Sequence, residues 1–361
     1  MRFCLSCFFI VFFCFSFSGK TQATDSLEMK IGQMLMMGLP DNNLDTGAVF
    51  YKDVKAGKIG GITMYERHLT PANTQENLRQ LISFYQAVSP IPLFVSITQE
   101  GGLVNRLKTK YGFLPMPSAA YLGKMNSPDS TKYYADNIAF TLSRLGININ
   151  FAPVVDVYSA TNPVLGSRER TFSSDPNVII QQAEQMILSH NYFNVATALK
   201  HFPGHGSSTT DTHLQLTDVS KTWKREELKP YEVLIKKGLV KAVMTAHIVN
   251  TQLDKDSLPA TLSKKMITGL LRNQLHFTGV VFSDDMQMKA ISAEYGLKEA
   301  IAKAINAGVD VLLFSGNISG QPPLVASDLV AIIVQLVKEG TVSPKTIDAS
   351  YRRIMQLKQR K

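Results

Sequence analysis

The sequence predicts an α/β chain folded as a single (β/α)8 barrel of the TIM type. Three observations carry this expectation. Eight short apolar runs recur along the chain, separated by charged stretches of helical pattern such as NTQENLRQLISFYQAV and KEAIAKAINAG. The runs are continuously apolar rather than alternating, the mark of strands buried on both faces of a parallel sheet. Polar residues gather just past the ends of these runs, where a barrel carries its functional groups. No Gly-x-Gly-x-x-Gly follows the first run, which argues against an open dinucleotide-binding sheet.

Residues 1–23 read as a leader rather than as part of the fold. Arg2 supplies a positive start, Cys4 to Phe17 is an apolar run short for a bilayer, and Thr21-Gln22-Ala23 offers small residues for cleavage. The expectation is an exported protein, periplasmic or secreted, with residues 24–361 as one catalytic barrel and no stable membrane span once the leader is removed. All three cysteines (Cys4, Cys7, Cys14) fall in the leader, so the mature chain would have no thiol chemistry. The formal charge of +9 includes Arg2 and Lys20 and is otherwise scattered, which gives no support to a nucleic-acid partner.

Taken in order, the runs are QMLMMG (33–38), GITMY (61–65), LFVSI (93–97) and NINFAPVVDV (148–157), then VATALKH (195–201), KAVMTAH (241–247), GVVFSDD (279–285) and DVLLFSG (310–316). Met34, Met36 and Met37 in the first are expected to fill core gaps. Gln99-Glu100, Asp156, Lys200-His201, His247 and Asp284-Asp285 each stand at the end of a run. One or two such residues could simply cap the next helix. Five in register point to a shared site on one face.

The densest chemistry lies in KHFPGHGSSTTDTHLQL, Lys200 to Leu216. Pro203-Gly204 stops any helix, so the segment reads as a strand feeding a long polar loop. Asp211 and His213 stand two apart, so in extended chain they share a side, and a carboxylate beside an imidazole favours its protonated form. That suits a general acid. The plainer alternatives are an incidental polar loop or, with His201 and His205, a metal site of non-helical spacing that lacks HExxH. Asp284 alone could be a nucleophile, a metal ligand or a helix cap. Trp223, the lone tryptophan, is expected to pack at the start of a helix.

Together these residues resemble glycoside hydrolase family 3, in its β-N-acetylglucosaminidase subgroup. FAPVVDV with NPVLG after it, KHFPGHG, the later DTH, MTAH, and LPATLSKKMITGLLRNQLHFTGVVFSDDM occur in family order over nearly the whole mature chain. The resemblance implies a cofactor-free, metal-free retaining enzyme that removes terminal N-acetylglucosamine from peptidoglycan fragments or chitooligosaccharides. It implies Asp284 as nucleophile and His213, partnered by Asp211, as acid and base. Asp285 would support or cap. Lys200, His201, Arg106 and Arg170 match sugar-contacting positions.

Three departures from the family pattern stand out. Thr98 occupies the position of a sugar-contacting Asp, and losing a charge-assisted hydrogen bond there would cost about 1.5–3 kcal/mol. Gly166-Ser167-Arg168-Glu169-Arg170 stretches the usual motif, so Arg168 competes with Arg170 for one role. Ser207-Ser208 replaces an Asp-Thr pair in the loop. Two rival readings are a phosphorylase of the same fold, since an imidazole acid does not repel phosphate, and a hexosamine-binding protein without catalysis, which predicts a broken nucleophile or dyad. The oligomeric state is not legible in the sequence.

Overall fold

The computed structural model describes residues 25–212, 214–318 and 323–359. The expected leader and His213 lie outside the described residues. The core is a closed barrel of eight parallel strands: β1 (Leu35–Gly38), β2 (Gly61–Met64), β3 (Phe94–Ile97), β4 (Ile149–Asn150), β5 (Ala196–Phe202), β7 (Ala242–Thr245), β9 (Val280–Asp285) and β10 (Val311–Phe314). Each of the eight apolar runs supplies one of them. β10 closes on β1 through Leu35–Leu312 and Met37–Phe314 pairing. A separate parallel pair, β6 (Thr217–Asp218) with β8 (Ile248–Val249), sits outside the barrel.

The fourth strand is shorter than its run. Only Ile149 and Asn150 enter the regular ladder, with one isolated bridge further on between Val154 and Lys200. Pro153 interrupts the run and has no N–H to give a ladder. The chain past Asn150 is thereby released to wander over the barrel mouth.

Helices between the strands start and stop where local chemistry directs. Pro128, Pro176 and Pro344 occupy first-turn positions, each after a side chain, Ser127, Asp175 or Ser343, that accepts from a first-turn N–H. The helix over Pro128–Leu145 buries Ala135, Ile138, Ala139, Leu142 and Leu145, a helical spacing that seals one face.

Rings fill the barrel interior. Phe282 of β9 lies 5.5 Å from Phe151 and 6.0 Å from Phe94, edge-on or tilted, so strands from opposite sides meet through aromatic contact. Met34, Met36 and Met37 are buried beside them, as expected. Gly61 makes this packing possible: a Cβ there would stand 2.7 Å from Met36 Cε and 3.0 Å from Phe94 Cβ. At the lower end, the buried carboxylate of Asp310 accepts from Arg272, Arg353 and the Val281 N–H, tying the C-terminal helix (Pro344–Lys358) to the sheet.

Candidate active site

The residues expected at the strand ends do share the upper face, and three carboxylates organise them. Glu100, one turn past β3, is buried among cations. Arg170 donates to it through Nε and Nη2, both at 2.8 Å, and Lys200 Nζ reaches Oε1 at 2.6 Å. Burial opposes ionisation of Glu100, but Arg170 and Lys200 outweigh it and hold its carboxyl well below the ordinary range. Glu100 engages only part of the donor set of each cation, which leaves further N–H groups for a polyhydroxylated ligand. Arg168 is exposed, whereas Arg170 is in the network.

Asp156, fully buried, does the same for the histidines. Its Oδ2 takes the His201 Nδ1–H at 2.7 Å, and its Oδ1 takes the His205 N–H at 2.7 Å. The contact orients the His201 ring. A carboxylate partner on Nδ1 leaves Nε2 as the ring nitrogen facing outward. His205 is a strut rather than a ligand: Nδ1 pairs with Ser208 Oγ at 2.6 Å and Nε2 with Thr212 Oγ1 at 3.2 Å. Burial lowers its pKa to about 4, so it is neutral. Ser208, one of the family departures, therefore fills a structural place in the loop.

Asp284 ends β9, half-buried, with Oδ1 accepting the Asp285 N–H at 2.8 Å. Its charge favours the protonated forms of both Arg170 and Lys200, which sets it beside the cation cluster. Two cations and two carboxylates thus occupy the mouth. Asp285 points the other way, where it accepts from Gln287 N, Ser315 N and Ser315 Oγ. Burial pushes its carboxyl up to about 6. The two adjacent aspartates have separate jobs, one facing the mouth and one capping the turn below it. His247 links β7 to this turn, donating from Nε2 to the Asp285 carbonyl at 2.9 Å.

Arg106 is carried by a loop that Gln99 shapes. The Gln99 Oε1 accepts from the Arg106 and Leu107 N–H groups at 2.8 and 3.1 Å. Arg106 Nε is buried without a hydrogen-bond partner. Thr98 is half-buried at the end of β3. Asp211 lies half-buried in the β5 loop, its carbonyl accepting from Leu214 and Gln215. The loop is held from the β4 side as well: Asn162, the Asn of NPVLG, donates to the carbonyls of His205 and Gly206.

Glu100 and Asp156 were visible in the sequence only as strand-end carboxylates without a role. Their partners sit 70 and 45 positions away, so only the folded chain reveals them. Among the described residues, no group of three or more His, Cys, Asp or Glu side chains is arranged to hold a metal ion.

The chain is similar in sequence and fold to known proteins. The model of the glycosyl hydrolase family 3 N-terminal domain matches residues 26–357. A β-hexosaminidase of Tolumonas auensis is 31% identical over 265 residues, covering 73% of this chain and 77% of that protein. The structure of a family 3 β-N-acetylglucosaminidase from Paenibacillus sp. superimposes with a TM-score of 0.83 at 33% identity. It covers 92% of this chain, which spans only 62% of that longer one. A β-N-acetylhexosaminidase from Beutenbergia cavernae gives 0.81 at 29% identity, covering 93% of this chain and 99% of its own. With a family match over nearly all of the barrel and a carboxylate, cation and histidine site at its mouth, this chain belongs to glycoside hydrolase family 3.

Proposed function

We propose that the protein is a retaining exo-β-N-acetylglucosaminidase acting on terminal β-linked N-acetylglucosamine of peptidoglycan fragments or chitooligosaccharides. The observation that carries the reading is Asp284 at the end of β9, beside the Lys200–Glu100–Arg170 cluster, with the loop bearing Asp211 leaving β5 two strands along the barrel. Lys200, Arg170 and His201 would hold sugar hydroxyls, with Arg106 at the rim. Asp284 attacks the anomeric carbon while the glycosidic oxygen leaves with a proton from the His213 imidazolium. Neutral His213 then takes a proton from water, whose oxygen displaces Asp284 and regenerates both groups. An Asp–His pair here replaces the second carboxyl group that most retaining glycosidases use. β-Hexosaminidase relatives over most of this chain's length support the substrate class. The leader of residues 1–23 supports export, and amino-terminal sequencing of the protein from cell fractions tests it.

The deciding experiment is hydrolysis of nitrophenyl β-N-acetylglucosaminide, the galactosaminide and the glucoside by wild type and Asp284→Ala. Wild type should prefer the N-acetylglucosaminide, and the variant should lose at least about a thousandfold in kcat, the scale of losing a covalent catalyst. Cleavage of none of the three by wild type, or retained activity in the variant, would overturn the reading.

A further inference from the structure

The segment after the β5 loop carries two buried residues that the mechanism leaves unused, Trp223 and Glu227. Both reach back to the stem of the loop. Trp223 Nε1 donates to the Pro203 carbonyl at 3.2 Å, and Glu227 Oε2 accepts the Gly206 N–H at 3.0 Å. Gly204, between these two points, has φ +117°, and a Cβ on it would lie 2.6 Å from the Glu227 Cβ. The stem therefore lies flat on Glu227, which only glycine at 204 allows. From the stem the constraint runs on through His205, whose ring nitrogens hold Ser208 and Thr212. Thr212 is the residue between Asp211 and His213.

We infer that Trp223 and Glu227 are positioning residues, a two-point clamp on the loop stem that sets, through His205, where Ser208 and Thr212 are held, and so acts on the loop that carries the Asp211–His213 pair. This rests on the reading of that pair as the acid and base. Burial pushes the Glu227 carboxyl up to about 7. A glutamine thus resembles one of its two forms and still offers an oxygen to the Gly206 N–H. Alanine offers none. At Trp223, phenylalanine keeps the packing and removes only the N–H.

A loosened acid should matter most where the leaving group needs a proton. The test compares Glu227→Ala, Glu227→Gln, Trp223→Phe and His213→Ala on nitrophenyl and dinitrophenyl N-acetylglucosaminides, with and without azide. Azide attacks the glycosyl-enzyme at the anomeric carbon, displacing Asp284 to give a glycosyl azide without general-base help. For Glu227→Ala the expected result is a loss of about tenfold or more in kcat/KM on the poorer leaving group, part of the roughly 100- to 10,000-fold that a general acid supplies. The dinitrophenyl substrate should be nearly spared in its burst phase, azide should accelerate turnover and form the azide product, and Glu227→Gln should stay near wild type. Trp223→Phe should show a weaker version of the same pattern, and it decides the matter if Glu227→Ala does not fold. Equal losses on both substrates without azide rescue, or no loss in either clamp variant, would overturn the clamp. If His213→Ala itself shows no leaving-group dependence and no azide rescue, the acid/base reading falls instead, and the two failures are told apart.

Discussion

Two lysines are sunk into opposite ends of this barrel, and they are held in contrasting ways. Lys200, at the mouth, meets the buried carboxylate of Glu100 at 2.6 Å, with Arg170 bound to the same carboxylate. Lys358, at the base, reaches in from the C-terminal helix to the Gln33 Oε1 at 2.6 Å and the Gly60 carbonyl at 2.7 Å, with its ammonium 4.7 Å from the Phe94 ring centroid. Neutral oxygens and a ring face receive it, and no carboxylate lies within ion-pair distance among the described residues. Burial lowers the pKa of both lysines; at the mouth the Glu100 and Asp284 carboxylates oppose that shift, whereas at the base burial acts unopposed. Compensation is what a site needs if its cations are to meet a ligand while still ionised; a plug has no such requirement.

The sharpest way to break this contrast is to remove the compensation. Glu100→Gln leaves Lys200 and Arg170 as buried cations sharing one neutral oxygen. Stripping one partner from a buried ionic set costs about 3–5 kcal/mol. Denaturant unfolding should show a loss near that size, with hexosaminide cleavage falling as the cations shift. A variant as stable and active as wild type would mean that Glu100 does not organise the mouth.

Lys200→Met is the next step down. It removes one cation and leaves Glu100 paired with Arg170, so the fold should suffer less than in Glu100→Gln. The loss belongs to the ligand: a charge-assisted hydrogen bond to a sugar hydroxyl is worth about 1.5–3 kcal/mol, roughly ten- to hundredfold in kcat/KM. Asp156→Asn should fall below that. Its amide oxygen can still accept the His201 Nδ1–H, but its NH2 then faces the His205 N–H, so about tenfold in kcat/KM is expected from the missing charge and the missing acceptor together. Steady-state kinetics on the same nitrophenyl substrate rank all three, and a reversed order would contradict the roles given to the two carboxylates.

What the sequence disclosed follows from the same physics. Strands buried on both faces write themselves as unbroken apolar runs, so all eight barrel strands were legible, as was the face on which Asp284, Lys200 and His201 stand. The fourth run promised a longer strand than it delivers, because Pro153 ends the ladder that VVDV would have continued. Pairings were illegible because they join distant positions. Arg170 meets Glu100 across 70 residues, and until the chain folds nothing distinguishes it from Arg168. Glu227 was the least visible of all: it sits in a charged, helix-like stretch, and its importance comes only from the loop stem folded back upon it. Lys358 was equally silent, one more basic residue near the end of a basic helix.

Lys358 therefore offers the mildest test, one of stability alone. Burial pulls its pKa down to about 7, from the ordinary lysine value of 10.5. The unfolded chain then binds more protons than the folded one between about pH 7 and 10.5, so in this window stability gained from Lys358 rises with pH. Its contribution is fully present only above the unfolded value and is lost as pH falls through the folded one. Lys358→Met removes the titration while keeping an unbranched side chain near Phe94. Denaturant titrations of both proteins from pH 6 to pH 10 should show the difference in unfolding free energy moving steadily in favour of wild type as pH increases. Hexosaminide cleavage should be unchanged within about twofold, because the base of the barrel takes no part in the chemistry at its mouth. A flat difference across the range would mean that the ammonium is stabilised in place by Gln33, Gly60 and Phe94, and that buried Lys200 and half-buried Lys358 are held by equally sufficient means.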